Sequence, residues 1–510
     1  MSDLVPLFII LPLATAFLIP IFGRFIKGFQ KGLLSFVLLF LTILGINFMA
    51  KGIEQPIAYQ VGGWSPENGI PIAIYLILDG LSVLLLLIIN LIGLLSTIYS
   101  ISYIRRFTSE NNFYALLALM IAGMNGVVLT GDMFNLYVFL EIAVIASYAL
   151  VAFGIERTEL EASFKYQVLG GVASLLILFG IGLLYWSTQT LNMADIANVL
   201  KGSNHGFLLV FTQILLISGF GLKAAMIPFH AWLPDAHSSA PSPISAMLSG
   251  VLIKAVGIYA ILRLFFNMFV VSYEISLVIT VIGTLSMVIG VFLAIGQWDL
   301  KRLLAYHSIS QMGYVVIGIG MGMLLISQGG DKSIASLAIA GGLFHLVNHA
   351  VFKGLLFLNS GAIEYVTGTR NLKMMGGLFK SLPVTSTTSL GASLSISGIP
   401  PFNGFFSKLV IIIAAIKGEF YLLAILAIVV SIVTLASFMK FQRYAFFNQS
   451  KFTRKIKEVP FPMCFSMIVL VVLCVGLSLL IFPGVREMVL TPAVNVLMET
   501  TNYSSAIIGM

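Results

Sequence analysis

Long apolar segments recur along the whole chain and alternate with short polar connections. A segment of about 20 apolar residues is long enough to cross a membrane as a helix. The first segment follows no basic stretch and precedes no small-residue cleavage site, so we expect a retained span and not a signal peptide. The pattern predicts an all-α polytopic membrane protein with about fourteen transmembrane helices, at about residues 5–22, 33–49, 74–99, 114–131, 134–153, 163–186, 207–227, 243–266, 272–296, 309–326, 334–359, 384–416, 420–440 and 462–483.

The composition supports a membrane protein without a redox or nucleotide centre. The 510 residues are 59% hydrophobic and 9% charged, and the mean hydropathy is +1.04. Cys464 and Cys474 share one apolar segment without a CxxC spacing, which excludes cysteine-ligated iron–sulfur, haem and zinc sites. The chain also lacks the GxxxxGK[ST] motif of nucleotide-binding loops. We therefore expect no cofactor, no metal and no catalytic site within this chain.

The net charge of +8 could indicate a nucleic-acid partner, so the distribution of the charge is decisive. Lysine and arginine concentrate in alternate connections, such as residues 24–31, 301–302 and 440–457. By the positive-inside rule these connections face the cytoplasm, which places both termini outside the cell membrane. The charge thus orients the chain in the bilayer and does not indicate nucleic-acid binding; the run at 440–457 is an orienting loop or a contact for anionic lipid or a partner subunit. The outward connections hold few basic residues, namely Lys51, Lys201, Arg263, Lys332, Lys417 and Arg486.

Ionisable residues interrupt the apolar pattern between residues 219 and 254. A lysine at the centre of a membrane helix costs at least about 2.5–3.5 kcal/mol, yet Lys223 stands five residues before Pro228. Proline lacks an N–H group and therefore breaks the helix there. Broken backbone at membrane depth survives where protein or water satisfies it. We interpret the stretch, with His230, His237 and Lys254, as part of an ion path.

Two carboxylates lie within apolar segments. Glu141 is well inside the fifth segment, where a carboxylate must be protonated or paired. Pairing with Lys223 would let both groups stay ionised, and protonation of Glu141 would release the lysine. The alternative is a neutral Glu141 hydrogen-bonded to a neighbouring helix. Asp79, near the start of the third segment, either caps that helix or takes part in conduction.

A second helix break, at Pro400 and Pro401, precedes Lys408 and matches the first break in position. We expect the carbonyls of Ile396 and Ser397, which lose their helical partners, to bind water or a polar group. Broken helices in matching places predict two inverted five-helix repeats, spans 4–8 and 9–13, with helices 7 and 12 broken. The expected domains are residues 1–110, the repeats at 111–268 and 269–446, and residues 447–510.

Three residues of the eleventh segment form a stripe. His345, His349 and Lys353 are spaced i, i+4 and i+8 and so share one helix face. Because histidine gains and loses a proton near neutral pH, the stripe indicates a proton relay. A metal site is disfavoured because lysine is a poor ligand and no acidic residue shares the face. His307, near the inner surface, either begins a proton uptake route or simply stands near the start of a helix.

The motifs follow one order: a mid-span glutamate, a lysine before PFHAWLPDA, then KRLLAYHSIS, HAVFKGLLFL and GIPPFNGFFSK. This order closely resembles the antiporter-like subunits shared by respiratory complex I, membrane-bound hydrogenases and Mrp-type cation/proton antiporters. The resemblance implies a fourteen-helix inverted-repeat fold with half-channels that meet along a central polar axis. By this resemblance Glu141 pairs with Lys223, Lys254 continues the axis, His345, His349 and Lys353 connect the halves, and Lys408 is the terminal proton site.

Within that family the chain is most similar to the Mrp D-type subunit or its membrane-hydrogenase counterpart, since it stops soon after the last span and carries lysine at 408. The resemblance implies H⁺ translocation together with other membrane subunits, coupled to Na⁺/H⁺ exchange or to a redox module of an oxidoreductase. The alternatives are a non-conducting scaffold subunit and a stand-alone solute transporter. A scaffold has no reason to place four lysines within apolar spans, and a solute transporter needs a cavity with more varied polar groups.

Overall fold

The computed structural model describes residues 2–53, 55–64, 73–107, 109–201, 206–453, 455–499 and 503. Within these residues, twelve helices are long and apolar enough to cross a membrane. This confirms the predicted all-α polytopic membrane fold. Arg454 of the predicted orienting loop and most of the tail after residue 499 lie outside the described residues.

The first half of the chain, where it is described, contains ten helices and one small antiparallel sheet, in which Ile57 pairs with Leu78 and Gln60 with Tyr75. In chain order the elements are α1 (Leu7–Phe22), α2 (Phe29–Lys51), β1 (Ile57–Gln60), β2 (Tyr75–Leu78), α3 (Gly80–Tyr103), α4 (Glu110–Leu129), α5 (Met133–Val151), α6 (Arg157–Thr188), α7 (Met193–Lys201), α8 (Phe207–Lys223), α9 (Trp232–Ser239) and α10 (Ser242–Met268).

The second half, as far as it is described, consists of helices joined by loops and contains no β-strand. Its elements are α11 (Tyr273–Ile295), α12 (Leu300–Ser327), α13 (Lys332–Thr367), α14 (Leu378–Ser381), α15 (Pro383–Ser397), α16 (Asn403–Lys417), α17 (Tyr421–Gln442), α18 (Phe461–Gly476), α19 (Pro483–Val489) and α20 (Thr491–Met498).

Both predicted helix breaks are present. α8 ends at Lys223 and α9 begins at Trp232, while α15 ends at Ser397 and α16 begins at Asn403. A count of fourteen crossings requires each broken pair, α8–α9 and α15–α16, to be one span in addition to the twelve long helices. The count, the inverted repeats and their domain boundaries stay predictions.

Helix α13 lies at the centre of the second half, where it packs against α10, α12, α15, α16 and α18. All of its residues from Gly341 to Ile363 are buried. A helix that is apolar on most of its faces is expected to be buried in this way. The predicted stripe therefore points into protein and not toward lipid.

A buried ion pair joins α3 to α10. The guanidinium of Arg263 contacts both carboxylate oxygens of Asp79, at 2.7 and 3.1 Å, and both side chains are 1% exposed. Asp79 also accepts a hydrogen bond from the Ser82 backbone N–H, which confirms that it caps α3. Arg263, which was expected toward the outer membrane surface, lies inside α10, because this helix continues past it to Met268 through π-helical turns.

Three more residues contact Arg263 and form a buried cluster with it and Asp79. Its guanidinium lies 3.0 Å from the Tyr259 hydroxyl and 3.2 Å from the Asn267 side-chain oxygen, and 4.7 Å from the ring centroid of Tyr503. Asn267 in turn donates to the Val496 carbonyl of α20. The cluster thus ties the C-terminal helix α20 to α10 and α3.

We expect Arg263→Met to lower the stability of the full chain in detergent by about 3–5 kcal/mol, because it leaves the buried Asp79 carboxylate unpaired. The double variant Asp79→Asn/Arg263→Met should recover much of this loss, since asparagine still caps the helix without a charge. The measurement is the monodisperse fraction after heating, with Lys51→Met at an exposed position as the control. A single variant as stable as wild type would show that the pair contributes little.

Candidate functional site

The ammonium of Lys223 sits at the C-terminal end of α8 and is buried. Its Nζ lies 2.9 Å from the Ser174 hydroxyl and 3.0 Å from the Gly170 carbonyl, both on α6. Oε1 of Glu141 on α5 lies 3.8 Å away and is also within hydrogen-bond reach of the Ser174 hydroxyl. The structure therefore brings the two predicted partners together, with Ser174 between carboxylate and ammonium.

Side chains near the first break satisfy the backbone groups that the break frees. The indole N–H of Trp232 donates to the Leu222 carbonyl at 2.9 Å, and its ring stacks on Tyr166 with centroids 4.2 Å apart. The backbone N–H of Ile227 donates to the Ser286 hydroxyl. Buried backbone groups need such partners. These contacts therefore stabilise the break and fix the end of α8 and the position of Lys223.

Lys254 and His237 occupy the region after this break. Nζ of Lys254 donates to the Ser249 carbonyl at 2.7 Å, inside a stretch of π-helix. π-turns widen a helix and recur at functional sites. His237 on α9 is fully buried between the rings of Trp232 and Phe357 and lies within electrostatic range of Lys254. Neither of its ring nitrogens has a hydrogen-bond partner among the described residues.

The stripe on α13 is buried along its whole length. His345 lies 2.9 Å from the Ser407 hydroxyl of α16 and 3.2 Å from the Gln311 side-chain oxygen of α12. Lys353 donates to the Leu304 carbonyl of α12. His349, between them, has no hydrogen-bond partner among the residues that the structure describes. The stripe thus faces α12 and α16 at its ends.

Lys408 on α16 lies against the second break. Its Nζ donates to the Ile396 carbonyl at 2.8 Å and to the Ser431 hydroxyl at 3.2 Å. Ser431 itself donates to the Ser397 carbonyl. The prediction that both freed carbonyls take polar partners is therefore confirmed. Gly398, which follows Ser397, has φ +78°, and a Cβ there would stand 3.1 Å from the Cδ of Lys408, so both backbone and space favour glycine.

The remaining predicted residues make none of these hydrogen bonds, although His307 lies within electrostatic range of Lys353 and Lys408. His230 stands in the first break and is half-buried. His307 is fully buried on α12 and contacts the Ser437 hydroxyl at 2.8 Å, so it lies inside the bundle and not at a helix start. Asp79 belongs to the ion pair with Arg263.

The four lysines within the spans share one kind of partner, a backbone carbonyl. Among the described residues, Lys223 alone of the four has a carboxylate within 4.0 Å. A carbonyl accepts a hydrogen bond from an ammonium and, more weakly, from a neutral amine. The contact therefore survives loss of the proton. The carbonyls are those of Gly170, Ser249, Leu304 and Ile396.

Sequence reasoning missed the neutral residues that connect the ionisable ones. Ser174, Ser407 and Ser431 each contact a predicted residue, and Gln311 contacts His345. Tyr314 places its ring 4.9 Å from Nζ of Lys408. A polar residue within an apolar span was the available signal, but serine is common in such spans because it can bond its own helix.

Comparison with known proteins gives a consistent result. The family described as NADH:quinone oxidoreductase/Mrp antiporter, TM, matches residues 130–434, and the N-terminal family of complex I chain 5 matches residues 64–114. The sequence is 35% identical over 459 residues to the D-type subunit of the Na⁺/H⁺ antiporter of Alkalihalophilus pseudofirmus, with 89% of each chain covered.

Two solved structures have similar folds. One is a chain of the Mrp complex from Dietzia sp. DQ12-45-1b, with a TM-score of 0.88, 26% identity, and 100% and 99% of the two chains covered. The other belongs to an archaeal membrane-bound sulfane sulfur reductase, with a TM-score of 0.86, 28% identity and 99% of each chain covered. The family match spans more than half of the chain, including both helix breaks and the polar residues between them. The chain therefore belongs to the NADH:quinone oxidoreductase/Mrp antiporter transmembrane family.

Proposed function

We propose that this chain is a proton-translocating subunit of a multisubunit complex in the cell membrane, with both termini outside. Its H⁺ movement is coupled either to Na⁺/H⁺ exchange or to a redox module. The relative from Alkalihalophilus is named as part of an Na⁺/H⁺ antiporter, and both similar structures are membrane complexes. The two halves of the path lie in the repeats at residues 111–268 and 269–446.

The observation that carries the proposal is the carbonyl bonding of the four lysines. A lysine that served as structural glue would need a permanent counter-charge, because a buried unpaired ammonium is costly. A lysine held by a carbonyl keeps a hydrogen bond in both protonation states. It can therefore alternate between charged and neutral without losing its place, which a proton carrier requires.

Hydrogen bonds connect the groups at each end of the proposed path, and electrostatic proximity connects His237, Lys254 and His349 in its middle. The path begins at Glu141 and Lys223, passes His237 and Lys254, and continues along the stripe on α13. His349 lies within electrostatic range of both Lys254 and Lys353, which supports a transfer between the halves. From His345 the path reaches Lys408 through Ser407, the residue before it on α16.

The exposed side of Glu141 supports a partner subunit. Its side chain is 23% exposed, on a face of α5 that also exposes Phe134 and Ile145. A carboxylate at membrane depth that faced lipid would be costly. We propose that a neighbouring subunit covers this face.

We assign H⁺ and not Na⁺ to this path. Its ionisable groups are mostly lysine and histidine nitrogens, which exchange protons. Hard cations such as Na⁺ prefer several oxygen ligands, and the carbonyl oxygens here are already bonded to lysines. Where Na⁺ is exchanged, other parts of the complex carry it.

Glu141→Gln should abolish coupled transport while the complex still assembles. Glutamine has the same volume and can accept the Ser174 bond, but it cannot hold or release a proton. The measurement is pH-gradient formation in vesicles that contain the intact complex, with assembly checked by copurification. Glu274→Gln, at an exposed position, is the matched control. Normal transport by assembled Glu141→Gln complexes would remove this carboxylate from the path.

Lys223→Arg should impair transport as strongly as Lys223→Ala, although the arginine variant assembles normally. Arginine keeps the positive charge beside Glu141 but does not give up its proton in proteins. The same vesicle assay compares both variants with Lys201→Arg, at an exposed position. Wild-type transport by Lys223→Arg would mean that Lys223 is a fixed charge.

Lys408→Ala should stop transport because it removes the last proton carrier of the second half. Lys408→Glu should retain part of the activity, since a carboxylate also carries protons. Lys417→Ala is the matched control, because Lys417 lies on the same helix but is exposed. Full activity of Lys408→Ala in the assembled complex would contradict a path that ends at this residue.

A further inference from the structure

The connection between α17 and α18 folds against α14, and the two line an open pocket of about 420 Å³. The helical stretches Tyr421–Phe447 and Phe461–Ile481, which begin with α17 and α18, are both long enough to span the membrane, so the connection lies at one membrane surface. Lys380 of α14 lines the pocket together with Lys455 and Lys457 of the connection. All three lysines are exposed. The pocket therefore gathers basic groups at the level where lipid headgroups lie.

The positive charge of this pocket is not balanced within the described residues. No carboxylate there lies within 4.0 Å of Lys380, Lys455 or Lys457. Glu458 also lines the pocket, but its carboxylate accepts hydrogen bonds from the backbone and hydroxyl of Thr385 at the start of α15, and from the backbone N–H of Val384. This carboxylate is engaged by α15, so the pocket favours an anion.

Exposed aromatic rings lie close to the lysines in sequence. Phe379, next to Lys380, is 45% exposed and stacks on Phe447, which is 59% exposed, with ring centroids 5.2 Å apart. Phe461, at the start of α18, is 76% exposed. Aromatic rings beside lysines are typical of a membrane interface, where the rings meet acyl chains and the lysines meet headgroups.

We propose that this pocket binds the phosphate of an anionic phospholipid, with Lys380, Lys455 and Lys457 on the headgroup and the pair Phe379–Phe447 against the acyl chains. The charge alone would also suit an acidic partner protein or free phosphate. Free phosphate would leave the exposed phenylalanines uncovered, and a partner protein would have to bring both an acidic and an apolar surface to this one place. A phospholipid matches both parts of this surface, because its phosphate suits the lysines and its acyl chains suit the phenylalanine rings.

Native mass spectrometry of the full chain in detergent, titrated with phosphatidylglycerol or phosphatidylcholine, tests the proposal. Each lysine near an anionic headgroup contributes a factor of about five in association. The triple variant Lys380→Gln/Lys455→Gln/Lys457→Gln should therefore weaken the first phosphatidylglycerol binding step at least about fivefold and leave phosphatidylcholine unchanged. The control, Lys51→Gln/Lys201→Gln/Lys332→Gln, has the same net charge and should bind as wild type does.

Three results would overturn the proposal. They are equal phosphatidylglycerol affinity in wild type and the triple variant, an equal loss in the control, or no preference of wild type for phosphatidylglycerol, which would leave a partner protein as the occupant. Displacement of the lipid by inorganic phosphate but not by chloride of equal ionic strength would assign the site to free phosphate. Lys455→Glu, a single reversal in an exposed connection, provides the same test if the triple variant does not fold.

Discussion

The cost of placing charge inside the hydrocarbon of a membrane governs this structure. An ionisable group at that depth needs polar partners from the protein itself. The chain supplies them mainly as backbone carbonyls, and the breaks and π-turns are where helices release them. Ile396, Ser397 and Ser249 all lie at such places, and two of the three carbonyls bind a lysine directly. Irregular backbone thus supplies the carbonyls for Lys254 and Lys408, whereas Lys223 and Lys353 bond carbonyls within the regular helices α6 and α12.

Close helix packing follows from the same constraint, because carbonyls and side chains bond only over short distances. At Gly318 and Gly342 the backbones of α12 and α13 approach so closely that a Cβ on either glycine would stand within 3.0 Å of the other helix. Small residues allow such approach between membrane helices. This approach lies one turn from His345 and brings Gln311 of α12 within hydrogen-bond distance of it.

Local sequence signals predicted the features that depend on local chemistry. Apolar length predicted the spans, Pro228 and Pro400 predicted the breaks, and the spacing of His345 and Lys353 predicted one helix face. Most features that depend on which helices become neighbours were out of reach; the pair of Glu141 and Lys223, predicted from opposite buried charges, is the exception. The partner of Arg263 was not predicted, because Asp79 is remote in sequence. Residues such as Ser174 carry no charge, so nothing in the sequence separated them from other serines in spans.

The two ends of the proposed path differ in how their lysines are controlled. Lys223 has a carboxylate 3.8 Å away, so the charge of Glu141 directly sets the field that the ammonium experiences. Lys408 has carbonyl, hydroxyl and ring partners, and no carboxylate within 4.0 Å among the described residues. These partners carry no charge that can change, so they cannot themselves alter the protonation of Lys408. The protonation of Lys408 must therefore respond to charge that arrives along the path or from a neighbouring subunit. Since Glu141 is itself partly exposed on a lateral face, a neighbour can act on the first end as well. In the proposed mechanism this chain passes a change in charge from one neighbouring subunit to another, and the complex sets the direction of that transfer.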